Sequence, residues 1–446
     1  MAPPTDLSAE VAVSAVVDNI LGLAEGRGVS AEVFYLQVDE TPVEFEANRL
    51  KSLQTKATTG LALRVIADGR LGFASSTDLS RIEGLLEAAI ETAASGNAAE
   101  FDFAGPGALP TAHSAFEVPP TARFVERGEA LVERVRAYNS DILVSATFAV
   151  RRSRVEIATT GGAHGERERA TVTASLSGNL VRGEDLLEAY GYGVARDGEP
   201  DYGQLVEEVL TKFRRAERNA RVAGGNLPVV FSPRAAAFTL GGLFQTALSG
   251  QTVVQKTSPL ADKVGQTLFS EQLTLYEDPN AGTSAAPFDD EGTPTRPKRF
   301  IEQGTVREFY WDRTWASRSG QPLGGNGFRG GLGRPSPGLV NLCMAGGRVP
   351  AADLIRSIDE GILVEQVLGA GQSNQFAGEF SVNLDLGYKI EHGEIVGRLK
   401  NTMVAGNIFE AFNAQLAGLS AETEWVFGSA CLPTIAFAGL GVSSRG

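Results

Sequence analysis

Histidine and cysteine, two residue types that often act as nucleophile, base or metal ligand, are sparse in this sequence. The 446 residues include three histidines, His113, His164 and His392, which lie far apart along the chain. A zinc peptidase needs two imidazoles on one helical face and a carboxylate that activates water, which is why its motif places a second histidine one turn after His-Glu. No histidine here has such a partner, and no G-x-S-x-G nucleophile elbow is present. The chain therefore lacks a hydrolytic site of these common types.

The densest acidic group consists of three consecutive carboxylates, Asp289, Asp290 and Glu291. Oxygen ligands suit Ca²⁺ and Mg²⁺, but adjacent carboxylates rarely converge on one ion and the EF-hand spacing is absent. The alternatives are a cation site or a loop held by ion pairs and backbone amides, and the spacing favours the loop. The nearby basic candidates for those ion pairs are Arg296, Lys298 and Arg299.

A glycine-rich loop follows, with the sequence GNGFRG at residues 325–330. It matches the G-x-G-x-x-G pattern, but no clear strand precedes it and no helix can begin in the following GLGRP, which argues against a dinucleotide site. The loop is either a structural turn or backbone that approaches a peptide or partner, where glycine avoids a Cβ clash. Arg329 can pair with the acidic triplet or hold a peptide carboxylate. The candidate peptide- or partner-binding residues are Asp289, Asp290, Glu291, Gly325, Asn326, Gly327 and Arg329.

Several short segments carry a family resemblance through their order. They are ADGRLGFAS at 67–75, FSPR at 231–234, FDDEG at 288–292, IEQG at 301–304, GNGFR at 325–329, and the stretch from GSA to glycine at 428–441. In this pattern the chain resembles the TldD/PmbA family, whose members are described as modulators of DNA gyrase and as peptidases. The resemblance covers most of the chain from about Phe45 onward.

The resemblance also locates a motif that this chain does not have. Catalytic family members carry His-Glu-x-x-x-His (HExxxH) in the helix after the strand and Ser-Pro turn. On this chain those positions fall on Gly241, Gly242 and Thr246, which cannot ligate zinc or activate water. The catalytic subunits also use a cysteine near the C-terminus as a ligand. Cys431 lies in a comparable region, and without the histidines we interpret it as a small buried apolar residue.

The pattern is similar to the PmbA branch, also called TldE, which lacks the motif. The resemblance then implies the non-catalytic subunit of a heterodimeric zinc metallopeptidase that acts on unfolded peptides. Zinc is expected in a TldD-like partner that bears the HExxxH motif, with no cofactor and no catalytic residue in this chain. The alternative is a stand-alone homodimer that binds peptides without hydrolysing them, and a hydrolase of unrecognised chemistry is a third reading.

Length and composition require more than one core. A chain of 446 residues exceeds what one core usually holds, and 43% hydrophobic with 21% charged residues is typical of folded proteins. We expect an α+β protein with an N-terminal sheet-and-helix domain, residues 1–224, arranged in two lobes around a linker at 97–120. A β-rich C-terminal domain, residues 225–446, would follow the two glycines at 224 and 225.

Periodicity predicts the elements of the first domain. Apolar residues at helical spacing indicate helices, and alternating apolar and polar residues indicate strands. Together they predict an antiparallel sheet with helices on one face. Asp68 and Gly69 predict a hairpin turn, and Asp78 is expected to cap the second helix. The predicted helices cover residues 7–24, 82–93, 122–138 and 201–221, and the predicted strands cover 31–38, 43–47, 61–67, 71–74, 142–160 and 169–181.

Two patterns stand out in the second domain. Ser232 and Pro233 predict the start of a helix that runs to about Leu248. Residues 380–390 alternate apolar and polar side chains, which predicts a half-buried strand turned at His392 and Gly393. Such a strand would offer its edge to an extended peptide, because main-chain hydrogen bonds do not depend on sequence.

Charge and targeting signals limit the partners. A net charge of -14 and a pI near 4.9 disfavour direct nucleic-acid binding, which relies on clustered Lys and Arg, so any gyrase-related effect is expected to be indirect. The N-terminus shows no leader pattern, and no apolar run approaches the roughly 20 residues that span a bilayer. Two cysteines distant in sequence suit a reducing compartment. We therefore expect a cytoplasmic protein without membrane contact.

Overall fold

The chain folds around two β-sheets. A computed structural model describes residues 7–370 and 374–444. Eight of the described strands form the first sheet, twelve form the second, and two form a separate hairpin. The first half combines a sheet with long helices and the second half is β-rich, which confirms the expected α+β class.

The first half contains four helices and the eight strands of the first sheet. The helices are α1 (Leu7–Gly26), α2 (Ile82–Ala93), α3 (Thr121–Tyr138) and α4 (Tyr202–Arg215). The strands are β1 (Ser30–Glu46), β2 (Arg49–Leu53), β3 (Lys56–Ala67), β4 (Arg70–Ser76), β5 (Gly107–Ala108), β6 (Leu143–Thr159), β7 (Ala163–Arg182) and β8 (Asp185–Arg196). Their order in the sheet is β4-β3-β1-β6-β7-β5, with β2 paired to β1 and β8 paired to β7. The sheet is antiparallel apart from one short parallel contact between β5 and β7.

One face of the first sheet is covered by the four helices. Val33 and Tyr35 of β1 belong to a core cluster with α1 and α2. Farther along the same strand, Val43 and Phe45 pack in a cluster with α3 and α4. These odd-numbered residues share a face because strand side chains alternate. The expected arrangement of helices on one face is confirmed.

The second sheet contains twelve strands. They are β9 (Asn219–Ala220), β10 (Gly225–Phe231), β11 (Leu275–Glu277), β12 (Lys298–Glu302), β13 (Thr305–Val306), β16 (Leu342–Met344), β17 (Glu360–Leu368), β18 (Glu379–Glu391), β19 (Glu394–Leu399), β20 (Thr402–Asn407), β21 (Leu416–Val426) and β22 (Ala430–Ser444). The separate hairpin is β14 (Gly327–Arg329) with β15 (Pro335–Pro337). The order of strands in the second sheet is β13-β12-β11-β16-β22-β10-β17-β18-β19-β9, with β20 paired to β18 and β22, and β21 paired to β22.

The helices of the second half are short. They are α5 (Pro233–Ala236), a π-helix (Ala237–Gly241), α6 (Gly242–Leu248), α7 (Gly250–Val254), α8 (Arg313–Ser319), α9 (Ala351–Arg356), a 3-10 helix (Gln375–Ala377) and α10 (Ile408–Ala411). Among the described helices of the whole chain, none combines the length and the apolar character needed to cross a bilayer.

The alternation at residues 380–390 is confirmed by β18. Phe380 and Val382 are buried, while Ser381 and Asn383 are exposed. The strand pairs with β17 along one edge and with β19 and β20 along the other. The prediction that this strand offers a long edge to a peptide is therefore wrong, since β17 occupies one edge and β20 and β19 occupy the other at residues 379–383 and 388–391.

Parts of residues 284–334, a range that we call the cover segment, pack on the second face of the first sheet. Phe288 of this segment packs with Ile157 of β6 and with Leu109. Leu332 packs against Phe34 of β1. The first sheet is thus buried between its own helices and a stretch of chain that comes from the second half.

The outer edge of β8 is covered by side chains rather than by another strand. Gln366 of β17 accepts a hydrogen bond from the Tyr190 backbone N–H at 3.0 Å and donates to the Glu188 carbonyl at 3.4 Å. Arg398 of β19 donates to the Leu186 carbonyl at 3.0 Å. Backbone groups that would otherwise be unpaired at the sheet edge are satisfied in this way.

Two local predictions for the first half are wrong. The helix expected at residues 201–221 ends at Arg215, because the chain beyond it forms β9 and pairs with β19. Asp78 does not cap α2, which begins at Ile82 without a side-chain cap. Its carboxylate instead accepts the Ser80 backbone N–H at 3.0 Å, a local turn that short acidic side chains favour two residues ahead.

Close packing of β4 on α2 gives a first prediction, at Gly72. A Cβ at this position would lie 1.9 Å from the Ala89 carbonyl oxygen, which is helix backbone and cannot rotate away. We expect Gly72→Ala to lower the free energy of unfolding by about 1–3 kcal/mol in urea denaturation, the usual cost of overpacking. The control is Gly84→Ala in α2, where a Cβ meets nothing within 4 Å. Alanine there should raise stability by about 0.5–1 kcal/mol, and equal effects at the two sites would contradict the packing.

Candidate functional site

The strand, turn and helix that precede the motif positions form as predicted. β10 ends at Phe231, and Ser232 caps the helix because its Oγ accepts the Ala235 backbone N–H at 3.3 Å. Pro233 occupies the first helical position, where no N–H is needed. The helix continues to Leu248 through α5, the π-helix and α6, and we call it the motif helix. Its π-helical turn is of interest because such turns are rare and are frequent at functional sites.

The three positions predicted for the motif carry no group that is a usual zinc ligand. Gly241 closes the π-helix, and Gly242 and Thr246 lie in α6. A Cβ at either glycine would meet no atom within 4 Å, so the space beside the helix is open. Thr246 Oγ1 donates to Gln375 Oε1 at 3.4 Å. The residues at these positions do not fit a zinc site, which requires nitrogen, sulfur or carboxylate ligands.

The histidines contact acidic residues elsewhere in the fold. His164 Nε2 lies 3.1 Å from Glu156 Oε1, in the first sheet. His392 turns the chain between β18 and β19, and its Nδ1 lies 2.6 Å from Asp359 Oδ1. His113 lies in the linker near the first sheet, as expected from its position in sequence. None of these positions belongs to the motif helix.

One cluster of described side chains has the spacing of a cation site. The ligand atoms of His113, Glu166 and Glu168 lie within 4.8 Å of one another. His113 is exposed, and Glu166 is already paired with Arg154 at 2.6 Å. Water competes for exposed ligands and a cation would have to displace that arginine, so we assign no metal to this cluster.

The two cysteines are neighbours in space. Cys343 and Cys431 are register partners in the parallel strands β16 and β22, and both are free and buried. The expected burial of Cys431 is confirmed. The hydrogen bond between the two thiols raises the pKa of Cys343 and lowers the pKa of Cys431 to about 6. Nothing in their sequence spacing indicates this contact.

The acidic triplet lies buried in the cover segment, where Asp289 is held by backbone amides. Its Oδ1 accepts the N–H groups of Glu291 at 3.0 Å and Thr293 at 2.8 Å. Its Oδ2 accepts the Gly327 N–H at 2.8 Å. The expectation that backbone amides hold this loop is therefore confirmed for Asp289.

The second carboxylate of the triplet joins the cover segment to β7. Asp290 Oδ1 forms an ion pair with Arg167 Nη2, and Asp290 Oδ2 accepts the Arg329 backbone N–H at 2.8 Å. Arg167 also donates through Nη1 to the Phe288 carbonyl at 2.7 Å. A charged side chain from the first sheet thus fixes the conformation of the loop above it.

Four charged side chains form a buried network that we call the buried quartet: Glu32, Arg64, Glu291 and Arg329. Arg64 donates to the two Glu32 oxygens at 2.8 and 2.6 Å, and its Nη1 lies 2.8 Å from Glu291 Oε1. Arg329 Nη2 donates to Glu32 Oε1 at 2.5 Å. Each side chain is at most 7% exposed. The quartet connects β1 and β3 to the cover segment.

The basic residues expected to hold the acidic triplet bind other partners. Among described residues, Arg296 pairs with Glu308, Lys298 with Glu277 and Arg299 with Glu302. The prediction based on sequence proximity is wrong, because the cover segment docks on the first sheet and meets Arg64 and Arg167 there.

The glycine-rich loop is shaped by contacts within the chain. Gly325 has a φ of +74°, a left-handed conformation that favours glycine. A Cβ at Gly327 would lie 2.0 Å from Glu291 Oε2. Asn326 is fully buried, and its Nδ2 donates to Glu277 Oε2 at 3.0 Å. These contacts favour the structural turn, while peptide or partner contact by these residues and by the acidic triplet stays a prediction.

Burial and neighbouring charges move two pKa values in opposite directions. Burial acts to raise the pKa of Glu32, but the positive charges of Arg64 and Arg329 outweigh burial and hold this pKa below its usual range. Burial, together with the negative charge of Glu291, raises the pKa of Asp312 to about 7. The same network therefore stabilises one charged carboxylate and opposes another.

A cleft of 320 Å³, which we call the arginine cleft, lies between the first sheet and the cover segment. Of the arginines in it, sequence reasoning identified one, Arg329. The missed signal is the period-two placement of Arg167 and Arg169 in β7, which sends both side chains to one face. The arginines that line the cleft are Arg151, Arg167, Arg169, Arg196 and Arg329.

Exposed apolar side chains lie on elements around the motif helix. Phe238 of the π-helix and Phe376 of the 3-10 helix are 47% and 55% exposed. Their elements are neighbours, since α6 and β18 each contact both the π-helix and the 3-10 helix. We call these two residues the motif-side surface. Grouped apolar side chains at a protein surface mark interaction sites.

Comparison with known proteins gives consistent matches over most of the chain. Family models described as PmbA/TldA metallopeptidase domain 1 and PmbA/TldA metallopeptidase C-terminal domain match residues 31–94 and 224–444. An uncharacterized protein of Methanocaldococcus jannaschii is 25% identical over 95% of this chain and 99% of its own length. Metalloprotease PmbA of Escherichia coli is 25% identical over 95% of each chain. The crystal structure of TldE from Thermococcus kodakarensis is 26% identical, with a TM-score of 0.87 over 96% of this chain and 100% of that one.

The buried quartet makes even the neutral replacement Glu32→Gln costly. The replacement removes the carboxylate shared by Arg64 and Arg329, and loss of one partner from a buried ion pair typically costs about 3–5 kcal/mol. We expect a loss of this size in the free energy of unfolding, measured in urea. The matched control is Glu87→Gln, whose pair with Arg27 is more than half exposed and contributes at most about 1 kcal/mol. Similar losses for the two variants would contradict the role of the quartet.

Asp312 gives a prediction for the pH dependence of stability. Its folded pKa of about 7 exceeds the ordinary value near 4, so between these values the folded state binds more protons than the unfolded state. The stability that Asp312 contributes is fully present below about pH 4 and is lost as pH rises through about 7. Asp312→Asn keeps an acceptor for the Trp315 N–H at the start of α8 but cannot ionise. Its melting temperature should fall less than that of the parent between about pH 5 and about pH 8, and parallel curves would refute the shift.

Proposed function

Because the chain belongs to the PmbA/TldD metallopeptidase family, we propose that it is the non-catalytic subunit of a heterodimeric zinc metallopeptidase. The partner is a TldD-like subunit that carries the HExxxH motif and supplies the zinc. The substrates are unfolded peptides, and this chain contributes part of the surface that binds them. Relatives in the family are named metalloproteases, which is the basis for the reaction class.

The observation that carries the proposal is the set of residues at Gly241, Gly242 and Thr246. Metal-assisted hydrolysis needs ligands that fix the ion and a base beside the bound water. The side chains of two glycines and one threonine supply neither the ligands nor the base. The helix is nevertheless fully formed, capped by Ser232 and open beside both glycines. A chain that keeps this helix without its chemistry is suited to a supporting role in an assembly.

The motif-side surface supports association next to this helix. Burial of its apolar side chains against a second subunit would remove them from water, which is favourable by about 25 cal/mol per Å² of apolar area. A second copy of this chain could bury the same surface, and that is the homodimer alternative. Association with a TldD-like partner and association with a second copy have the same physical driving force. The subunit composition of the assembly must therefore distinguish the two alternatives.

The division into two domains is part of the proposal, with a boundary between residues 1–224 and 225–446. It is supported by Gly224 and Gly225, whose φ values of +51° and +125° turn the chain between α4 and β10. The match to the C-terminal domain model also begins at residue 224. The net charge of -14 supports the absence of direct nucleic-acid contact, and a cytoplasmic location is proposed with it.

The test compares the isolated chain with its assembly. Purified alone, the chain is expected to hold no stoichiometric zinc in elemental analysis and to leave an unfolded protein substrate intact. Co-expressed with a TldD-like relative, it should co-purify as a heterodimer that cleaves the substrate and is inhibited by a chelator. One zinc per isolated chain, or hydrolysis by that chain, would overturn the proposal.

Two matched surface variants test the partner contact. Phe376→Asp places a charge in the motif-side surface and should prevent co-purification without lowering the melting temperature. Val181→Asp changes an apolar residue that is 61% exposed on β7, and it should co-purify normally. A stable homodimer that captures no motif-bearing relative would favour the peptide-binding alternative.

A further inference from the structure

The arginine cleft is built by one face of the first sheet and by the cover segment above it. Arg167 and Arg169 project from β7, and Arg151 projects from the adjacent β6. Ser153 and Val155, which also line the cleft, are the register partners of Arg169 and Arg167. The apolar part of the lining is Phe34, Leu36, Val155, Phe328, Leu339 and Val340.

Two arginines of the cleft have no carboxylate partner among the described residues. Arg169 Nη2 donates to the backbone carbonyls of Ser284 at 3.0 Å and Ala285 at 3.2 Å. Within the described chain its Nε and Nη1 donate to no acceptor, and Arg151, which is exposed, forms no hydrogen bond or ion pair. Positive charge is therefore unmatched in this cleft, although the chain as a whole is strongly acidic.

Neighbouring carboxylates offset this charge only in part, since Asp290 also lines the cleft but forms its ion pair with Arg167. Glu168 lies between Arg167 and Arg169 in sequence, but its carboxylate lies beside His113 because alternate strand residues face opposite sides. Burial lowers the pKa of Arg169, and the charges of Arg167 and Arg196 help to lower it to about 10. A bound anion would relieve the repulsion among these guanidinium groups.

We propose that the arginine cleft binds the C-terminal residue of a peptide, with its α-carboxylate on Arg169 and Arg151 and its side chain against the apolar lining. Guanidinium groups form strong charge-assisted hydrogen bonds with carboxylates. A volume of 320 Å³ lies at the lower end of the roughly 300–1,000 Å³ usual for ligand pockets, so the cleft has room for one or two residues.

The composition of the lining selects a peptide end over a phosphate ion. Phosphate would satisfy the unpaired arginines but would leave the apolar residues without a partner. A terminal residue offers one negative charge and one apolar side chain, which matches both parts of the lining. This inference rests on the proposed function, since it takes peptides as the ligands, and it gives this chain the task of anchoring a free chain end.

Calorimetric titration of the purified full chain, without partner or zinc, tests the ligand chemistry. The probes are acetyl-tetraalanyl-leucine with a free carboxylate, the same peptide amidated at its C-terminus, and inorganic phosphate. We expect the free acid to bind about tenfold or more tightly than the amide, because hydrogen bonds to a charged group are lost in the amide. The free acid should also bind more tightly than phosphate, and added salt should weaken its binding.

Matched Arg→Gln variants test the residues. Arg169→Gln should weaken binding of the free acid about tenfold or more and leave binding of the amide unchanged. Arg151→Gln removes an exposed side chain without breaking an ion pair in the described chain, so it tests the cleft even if Arg169→Gln unfolds the protein. It should also weaken binding of the free acid. Arg136→Gln changes an exposed residue on α3, over the opposite face of the sheet, and should have no effect.

Four results would each overturn the inference. They are equal affinities for acid and amide, no binding of the free acid at millimolar concentration, tightest binding of phosphate, and a free-acid affinity unchanged in both cleft variants. The proposed subunit role fails through other observations, namely zinc in the isolated chain or the absence of a motif-bearing partner. Neither of those depends on the chemistry of the peptide end.

Discussion

Burial of four charged side chains between the first sheet and the cover segment is the constraint on which the rest of the structure depends. Removing each charge from water costs several kcal/mol, which is recovered only when the ion pairs have good geometry. That geometry requires Glu32 and Arg64 to be register partners in β1 and β3, as they are. A slip of β3 by one residue would send Arg64 to the face opposite to Glu32. The quartet therefore fixes the register of the first sheet and the position of the second half upon it.

Elements with strong local preferences could be predicted from the sequence, whereas contacts between distant segments could not. The alternation of apolar and polar residues at 380–390 predicts which side chains of β18 are buried, because successive strand residues point to opposite faces. The partner of Asp290 is Arg167, 123 positions earlier, and no local rule selects it over the nearby Arg296. The contact between the two cysteines could not be predicted from the sequence for the same reason, since it depends on the pairing of β16 with β22.

The two parts of the candidate site differ in the same way. Three positions at fixed spacing can be read along one helix, so Gly241, Gly242 and Thr246 could be predicted from the sequence. The arginine cleft combines residues from β6, β7, β8 and the cover segment, and it exists only in the folded chain. Substrate binding and bond cleavage depend on separate groups, so a cleft of this kind does not require metal ligands in the same chain.

The side-chain cover along the outer edge of β8 has a consequence for dissecting the molecule. An unpaired strand edge is a template for joining another chain, and proteins avoid leaving long ones bare. Gln366 and Arg398, which shield β8, belong to the second half of the sequence. An N-terminal fragment produced alone would expose a strand of 12 residues and would tend to aggregate through it. Fragments cut at the glycine pair are for that reason poor reagents, and the two halves are best expressed as one polypeptide.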